Sequence, residues 1–156
     1  MNILRTHHVA VICSDYERSK NFYVRILGLE IVAEVYQAER DSYKLDLRLP
    51  DGVQVELFSF SNPPKRPSYP EACGLRHLAF EVADIDEAVV ELAGHGVVVE
   101  PVRVDPHTGK RFTVLRRPGR AAAGVVRAAT GQRSARRIWF SLGSSGWVSS
   151  PPAGLC

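Results

Sequence analysis

A chain of 156 residues suits one domain, or two small modules that share a core. Its 45% apolar and 24% charged residues are the balance of a globular protein, and three cysteines at unrelated spacings (Cys13, Cys73, Cys156) exclude a disulfide scaffold. The net charge of +3 is unevenly spread: the seven Arg after residue 112 meet no acid, whereas the 112 residues before them carry four more acids than bases. That basic tail has no interleaved aromatics, zinc-finger spacing or heptads, so nucleic acid is not the expected partner.

Taken in chain order, residues 1–15 hold no apolar run of signal-peptide length, and no later stretch approaches a membrane span. The expected setting is the cytoplasm. His8–Asp15 reads as a strand ending in an aspartate, and the pattern recurs 69 residues later as His77–Asp84. After each copy comes helical spacing: Tyr16, Ser19, Phe22 or Tyr23, Ile26 and Leu27 up to Gly28, then Ile85, Ala88, Val89 and Leu92 up to Gly94 and Gly96. Asp15 and Asp84 are expected to cap these helices, because a carboxylate there accepts from unpaired backbone N–H groups. Strands are expected at Glu30–Tyr36, Tyr43–Leu49 and Gln54–Phe60, with Pro50-Asp51-Gly52 turning the last pair.

The fold class is therefore α+β, with paired βαβββ modules. The first covers 1–60, a Pro-rich linker 61–74, and the second 75–117, with strands at Val97–Val104 and Lys110–Leu115. The final strand of the second module is expected to be missing. Residues 118–156 are expected to be an aberrant, mostly disordered basic tail.

Period-two alternation gives His8, Ala10 and Ile12 one face of the first strand, and His77, Ala79 and Glu81 the matching face of its repeat. Gln54, Glu56 and Phe58 share a face of an otherwise apolar strand. An acid there is costly unless paired or bound to metal. Two imidazoles and a carboxylate facing one cleft suit a divalent first-row ion. His7, His95 and His107 are expected to play no part in it, and Arg18, Arg25, Lys110 and Arg111 are read as solvated.

The segments HHVAVICSDYERSKNFYVRILGLEI, VQVELFSF and GLRHLAFEVADIDEAVVELAGHGV resemble the vicinal-oxygen-chelate superfamily, and most of all its small bacterial glyoxalase I-like branch. The resemblance covers about residues 3–113. It implies a cupped mixed sheet around one metal, and ligands at His8, Glu56 and His77 with Glu56 also catalytic. It also implies a divalent ion (Ni, Zn, Co, Mn or Fe), a thiol co-substrate such as glutathione, a small oxygenated substrate and a homodimer. The reaction implied is a lyase or isomerase step through a metal-stabilised enediolate. The same fold also serves dioxygenases and metal-free drug-sequestering proteins, which are the alternatives.

The fourth ligand that the resemblance implies, a Glu in the last strand, has no counterpart, since no acid follows Lys110. Where relatives read Asp-Gly-Leu-Pro-Leu-Glu-Leu-Tyr-Glu, this chain has Gly119 through Arg127 as Gly-Arg-Ala-Ala-Ala-Gly-Val-Val-Arg. Codons such as GGA CGG GCT GCC GCT GGA GTT GTA CGA would encode the second and, shifted by one base, can encode the first. The sequence from about residue 114 is accordingly read as frameshifted, with the lost Glu spread across the codons of Gly124 and Val125. A diverged but genuine basic tail is the rival reading.

Overall fold

The computed structural model describes residues 1–64, 70, 73–116 and 122–127, the last six by their backbone. Two four-stranded sheets are built the same way. The first has the order β1-β4-β3-β2, from β1 (His8–Cys13), β2 (Glu30–Gln37), β3 (Ser42–Arg48) and β4 (Gln54–Ser59). The second has the order β5-β8-β7-β6, from β5 (Leu78–Val82), β6 (Arg103–Val104), β7 (Arg111–Arg116) and β8 (Ala122–Arg127). In each sheet the first and last strands run parallel and the other pairs antiparallel. This is the expected βαβββ repeat.

Between β1 and β2 the chain forms α1 (Tyr16–Asn21), which widens into a π-helical turn over Phe22–Ile26. Phe22 and Tyr23, at the start of this wider turn, are both almost fully buried. Asp15 caps α1 by accepting from Arg18 N at 3.0 Å. Asp84 caps α2 (Ile85–Gly94), accepting from Asp86 N at 2.9 Å and Glu87 N at 3.3 Å. The expected turn after Pro50 also forms. Gly52 takes φ +86°, which L side chains rarely adopt, and Val53 N donates to Asp51 Oδ1 at 3.0 Å.

Alternation then decides what each sheet face does. Val11, Leu45, Leu47, Val55 and Leu57 point toward the helices and are buried with Phe22, Tyr23 and Leu29. His8, Ala10 and Ile12 point the other way into an open, cupped face, where Ile12 is 60% exposed.

Two expectations about the second module need correction. Val97–Val104 is not one strand: it contributes only a Val99–Leu115 bridge and the two residues of β6. Pro101, which has no N–H to give a ladder, lies between the two. The last strand, expected to be missing, is present as β8 and pairs with β5 on one side and β7 on the other. Sheet ladders are made by backbone groups, and the Ala-Ala-Gly-Val-Val-Arg run offers an N–H at every position. β8 is an inner strand, so without it β5 would lose its link to β7. The second module thus reaches Arg127. The rest of the expected tail, residues 128–156, lies outside the described residues, as do 65–69 and 71–72 of the Pro-rich linker.

Candidate functional site

The parallel pairing of β1 with β4 sets Ala10 opposite Glu56 and His8 opposite Gln54. His8 and Glu56 therefore lie diagonally on the cupped face, and their side chains meet, with His8 Nε2 3.9 Å from Glu56 Oε2. That is too long for a hydrogen bond. It is close to the roughly 3.4 Å between two ligand atoms of one tetrahedral ion with bonds of about 2.1 Å. His8 is 44% exposed and Glu56 only 14%, so an acid lines the floor of the face and an imidazole stands at its mouth. The other ring nitrogen of His8, Nδ1, lies 2.9 Å from His7 Nδ1. This contact between neighbouring rings leaves Nε2 turned to Glu56. Fixing one ring nitrogen so that the other can bind is what a ligating histidine needs. His7, given no role from the sequence, thus touches the site.

Two further residues went unnoticed in the sequence. Lys44 Nζ lies 3.3 Å from Glu56 Oε1, and donates to Asp46 Oδ1 at 2.7 Å and Oδ2 at 3.0 Å. Asp46 is the cross-strand partner of Glu56. Like charges directly opposite on neighbouring strands repel, and an ammonium bonded to both removes that penalty. Asp46, with Glu56 after it, holds the Lys44 pKa above its ordinary 10.5 against the opposing effect of desolvation. Plain alternation puts Lys44 and Asp46 on the cup face, since Leu45 and Leu47 face the core, but only the strand register sets them against Glu56.

The second sheet repeats the frame without the chemistry. His77 is exposed just before β5, on the face of Ala79 and Glu81. Ala79 is opposite Gly124, as Ala10 is opposite Glu56, and Val114 is opposite Gly124, as Asp46 is opposite Glu56. The register therefore puts Gly124 at the position of Glu56, Val114 at that of Asp46 and Phe112 at that of Lys44. Among the described residues no three His, Cys, Asp or Glu side chains converge. The structure brings His8 and Glu56 together and does not add His77 to them.

Arg111, His95 and His107 lie in local structural contacts. Arg111 ties β7 to α2 through Asp86 at 2.7 and 2.8 Å. His95 ends α2, with Gly96 at φ +71°, and His107 lies in a turn where its N–H donates to Asp105 Oδ1 at 2.9 Å. Among the described residues no helix is long and apolar enough to cross a membrane.

Comparison with known proteins agrees with this architecture. The YwkD protein of Bacillus subtilis is 59% identical over 107 residues, covering 69% of this chain and 84% of its own. A glyoxalase family protein from Enterococcus faecalis, of known crystal structure, is 43% identical, with a TM-score of 0.74 over 78% of this chain and 96% of its own. A 2-epi-5-epi-valiolone epimerase from an Actinomyces species is 30% identical over 133 residues, covering 72% of this chain and 73% of its own. The family model for the Glyoxalase/Bleomycin resistance protein/Dioxygenase superfamily matches residues 5–123, and with the paired βαβββ sheets this shows that the chain belongs to that superfamily.

Proposed function

We propose that this chain is a metal-dependent, glyoxalase I-like lyase or isomerase, impaired by the glycine at position 124. The observation that carries this reading is the approach of His8 Nε2 to Glu56 Oε2 on the open cup face, 3.9 Å apart. These two residues would hold a divalent ion (Ni, Zn, Co, Mn or Fe) together with a third donor, His77. When bound, the ion supplies Lewis-acid polarisation of two neighbouring oxygens of a small substrate. Glu56, the one acid left in the ligand set, takes a proton from the substrate carbon and returns it to its neighbour. An epimerase among the relatives fits such proton traffic. A thiol such as glutathione would serve as co-substrate by forming the adduct to be isomerised.

His77 stands apart from His8 and Glu56, and both cup faces are exposed. We read the working unit as a homodimer in which His77 of a second copy completes the site. We also read the sequence from about residue 114 as shifted by one base. Codons over Gly119–Arg127 that yield the family motif in no frame would overturn that reading.

The test of the function is metal uptake by the folded protein, with each of the five ions offered in turn. About one ion per chain, lost in His8→Ala and His77→Ala, is the expected result. In the loaded protein Glu56→Gln should cut turnover of a 2-oxoaldehyde thiohemiacetal by about 10²–10⁴-fold. A folded protein that takes up none of these ions would overturn the enzyme reading in favour of a metal-free small-molecule binder.

A further inference from the structure

We propose that Lys44, held by Asp46, is a positioning residue that presents one oxygen of Glu56 beside His8 and ties off the other. The inference rests on the reading above, in which His8 and Glu56 are metal ligands, and adds to it the device that orients the carboxylate.

The two oxygens of Glu56 have different neighbours. Oε2 is turned to His8 Nε2 at 3.9 Å, and Oε1 to Lys44 Nζ at 3.3 Å. A carboxylate with one oxygen engaged by a cation is set up to offer the other singly. The cation is itself fixed, because both oxygens of Asp46 bond to it. The chain of contacts thus runs Asp46, Lys44, Glu56 and then His8, all on one sheet face, with the Lys44 ammonium also 6.0 Å from the ring centroid of its cross-strand partner Phe58. Lys44 is 29% exposed, so the pair is only partly screened by solvent.

A structural role for these charges is a poor alternative. The second sheet has the same strand order and register, with Phe112, Val114 and Gly124 in place of Lys44, Asp46 and Glu56. The fold therefore does not need charges at these positions. Exposed ion pairs contribute little stability in any case. Outer partners that orient a ligating carboxylate, in contrast, typically change metal affinity by about 10–100-fold when removed.

The direction of the effect separates orientation from bare charge. Deleting a cation next to a dication site would tighten metal binding if charge alone mattered. Deleting an orienting residue would weaken it. The experiment titrates Co(II) into the full chain and into the Lys44→Met, Lys44→Gln, Lys44→Arg and Asp46→Asn variants. Affinity is measured by competition with a chelator, and the visible absorption of bound cobalt reports its coordination. Denaturant midpoints of the metal-free proteins check folding.

The expected result is weaker binding in Lys44→Met by about 10–100-fold with an altered cobalt spectrum, a smaller loss in Asp46→Asn, and substantial recovery in Lys44→Arg. Asp46→Asn removes a negative charge near the ion, so weaker binding there does not by itself separate the two accounts. Lys44→Gln, which also removes the cation, carries the test should Lys44→Met fail to fold. Wild-type protein that binds cobalt, with Lys44→Met or Lys44→Gln binding as tightly or more tightly, would overturn the positioning role and leave the metal reading standing. Wild-type protein that binds no cobalt would overturn the metal reading, and the positioning role with it.

Discussion

Tyr16, Lys20 and Glu34 join α1 to β2: Lys20 Nζ lies 2.7 and 2.6 Å from the two Glu34 oxygens, and Tyr16 donates to Glu34 Oε1 at 2.6 Å. The bond from Lys20, then that from Tyr16, holds the Glu34 carboxyl below its ordinary 4.5, against some desolvation. Burial, followed by the bond to Glu34, raises the Tyr16 hydroxyl. A depressed folded-state carboxyl stabilises the fold fully above its unfolded pKa and loses that contribution as pH falls through the folded value. Glu34→Gln is therefore expected to cost about 0.5–1 kcal/mol at pH 7 and almost nothing near pH 2, read from denaturant midpoints at the two pH values. An equal cost at both would show that the charge is not what matters. The contrast with the cup face explains which residues were legible. His8 could be picked out because it leads a strand that recurs with His77, and Glu56 because it interrupts an apolar strand. Lys44 and Asp46 could not, because charged residues alternating in a strand are what any solvent-facing sheet shows, and only the register with Glu56 gives them a partner.

At the level of elements, the first module was readable nearly throughout. Strands β1, β3 and β4 alternate, α1 starts at a capping aspartate, and Gly52 and Asp51 write the hairpin turn, whereas β2 shows no such alternation. Leu45, which is fully buried at the centre of the first sheet, is the position to test that core. Leu45→Ala should cost about 2–5 kcal/mol in a denaturant titration, and a loss below 1 kcal/mol would mean that the sheet packs less tightly than described. The second module was harder. β6 is too short to show a period, and β8 carries no polar–apolar alternation at all, since its order between β5 and β7 is a matter of backbone pairing. What the strand does show is register. Gly124 falls opposite Ala79, at the position that Glu56 holds opposite Ala10, which is also where the proposed one-base shift would put the missing glutamate. Gly124→Glu should therefore tighten metal binding by about 10–100-fold, as a charge-assisted contact worth about 1.5–3 kcal/mol would. Unchanged affinity would mean that position 124 does not face the ion.

For the whole molecule, the question is which copies of the chain build one site. Each sheet offers part of the proposed donor set, His8 with Glu56 on the first and His77 on the second, and within one chain the described residues do not bring three donors together. The faces that carry the two parts are open, with Ala10, Ile12 and Ala79 exposed. A twofold dimer would resolve this, because an isologous contact that sets the first sheet of one copy against the second sheet of the other makes two equivalent sites at once. Mixing two damaged proteins distinguishes this from a site within one chain. His8→Ala and His77→Ala homodimers each lack a donor in every site. If sites form across the interface, a mixed dimer contains one site with both donors damaged and one with neither. Random re-pairing should then restore strong metal binding to about one site in four. If each site is built within a single chain, every site in the mixture keeps one defect and nothing is restored. The two proteins need only be unfolded together, refolded, and compared with the same proteins refolded apart. A recovery near one quarter, with a sedimentation coefficient of a dimer, would place His77 of one copy against His8 and Glu56 of the other. No recovery from a mixture that sediments as a dimer would confine the donors to one chain, and the two sheets of that chain would then have to close on each other when the ion binds.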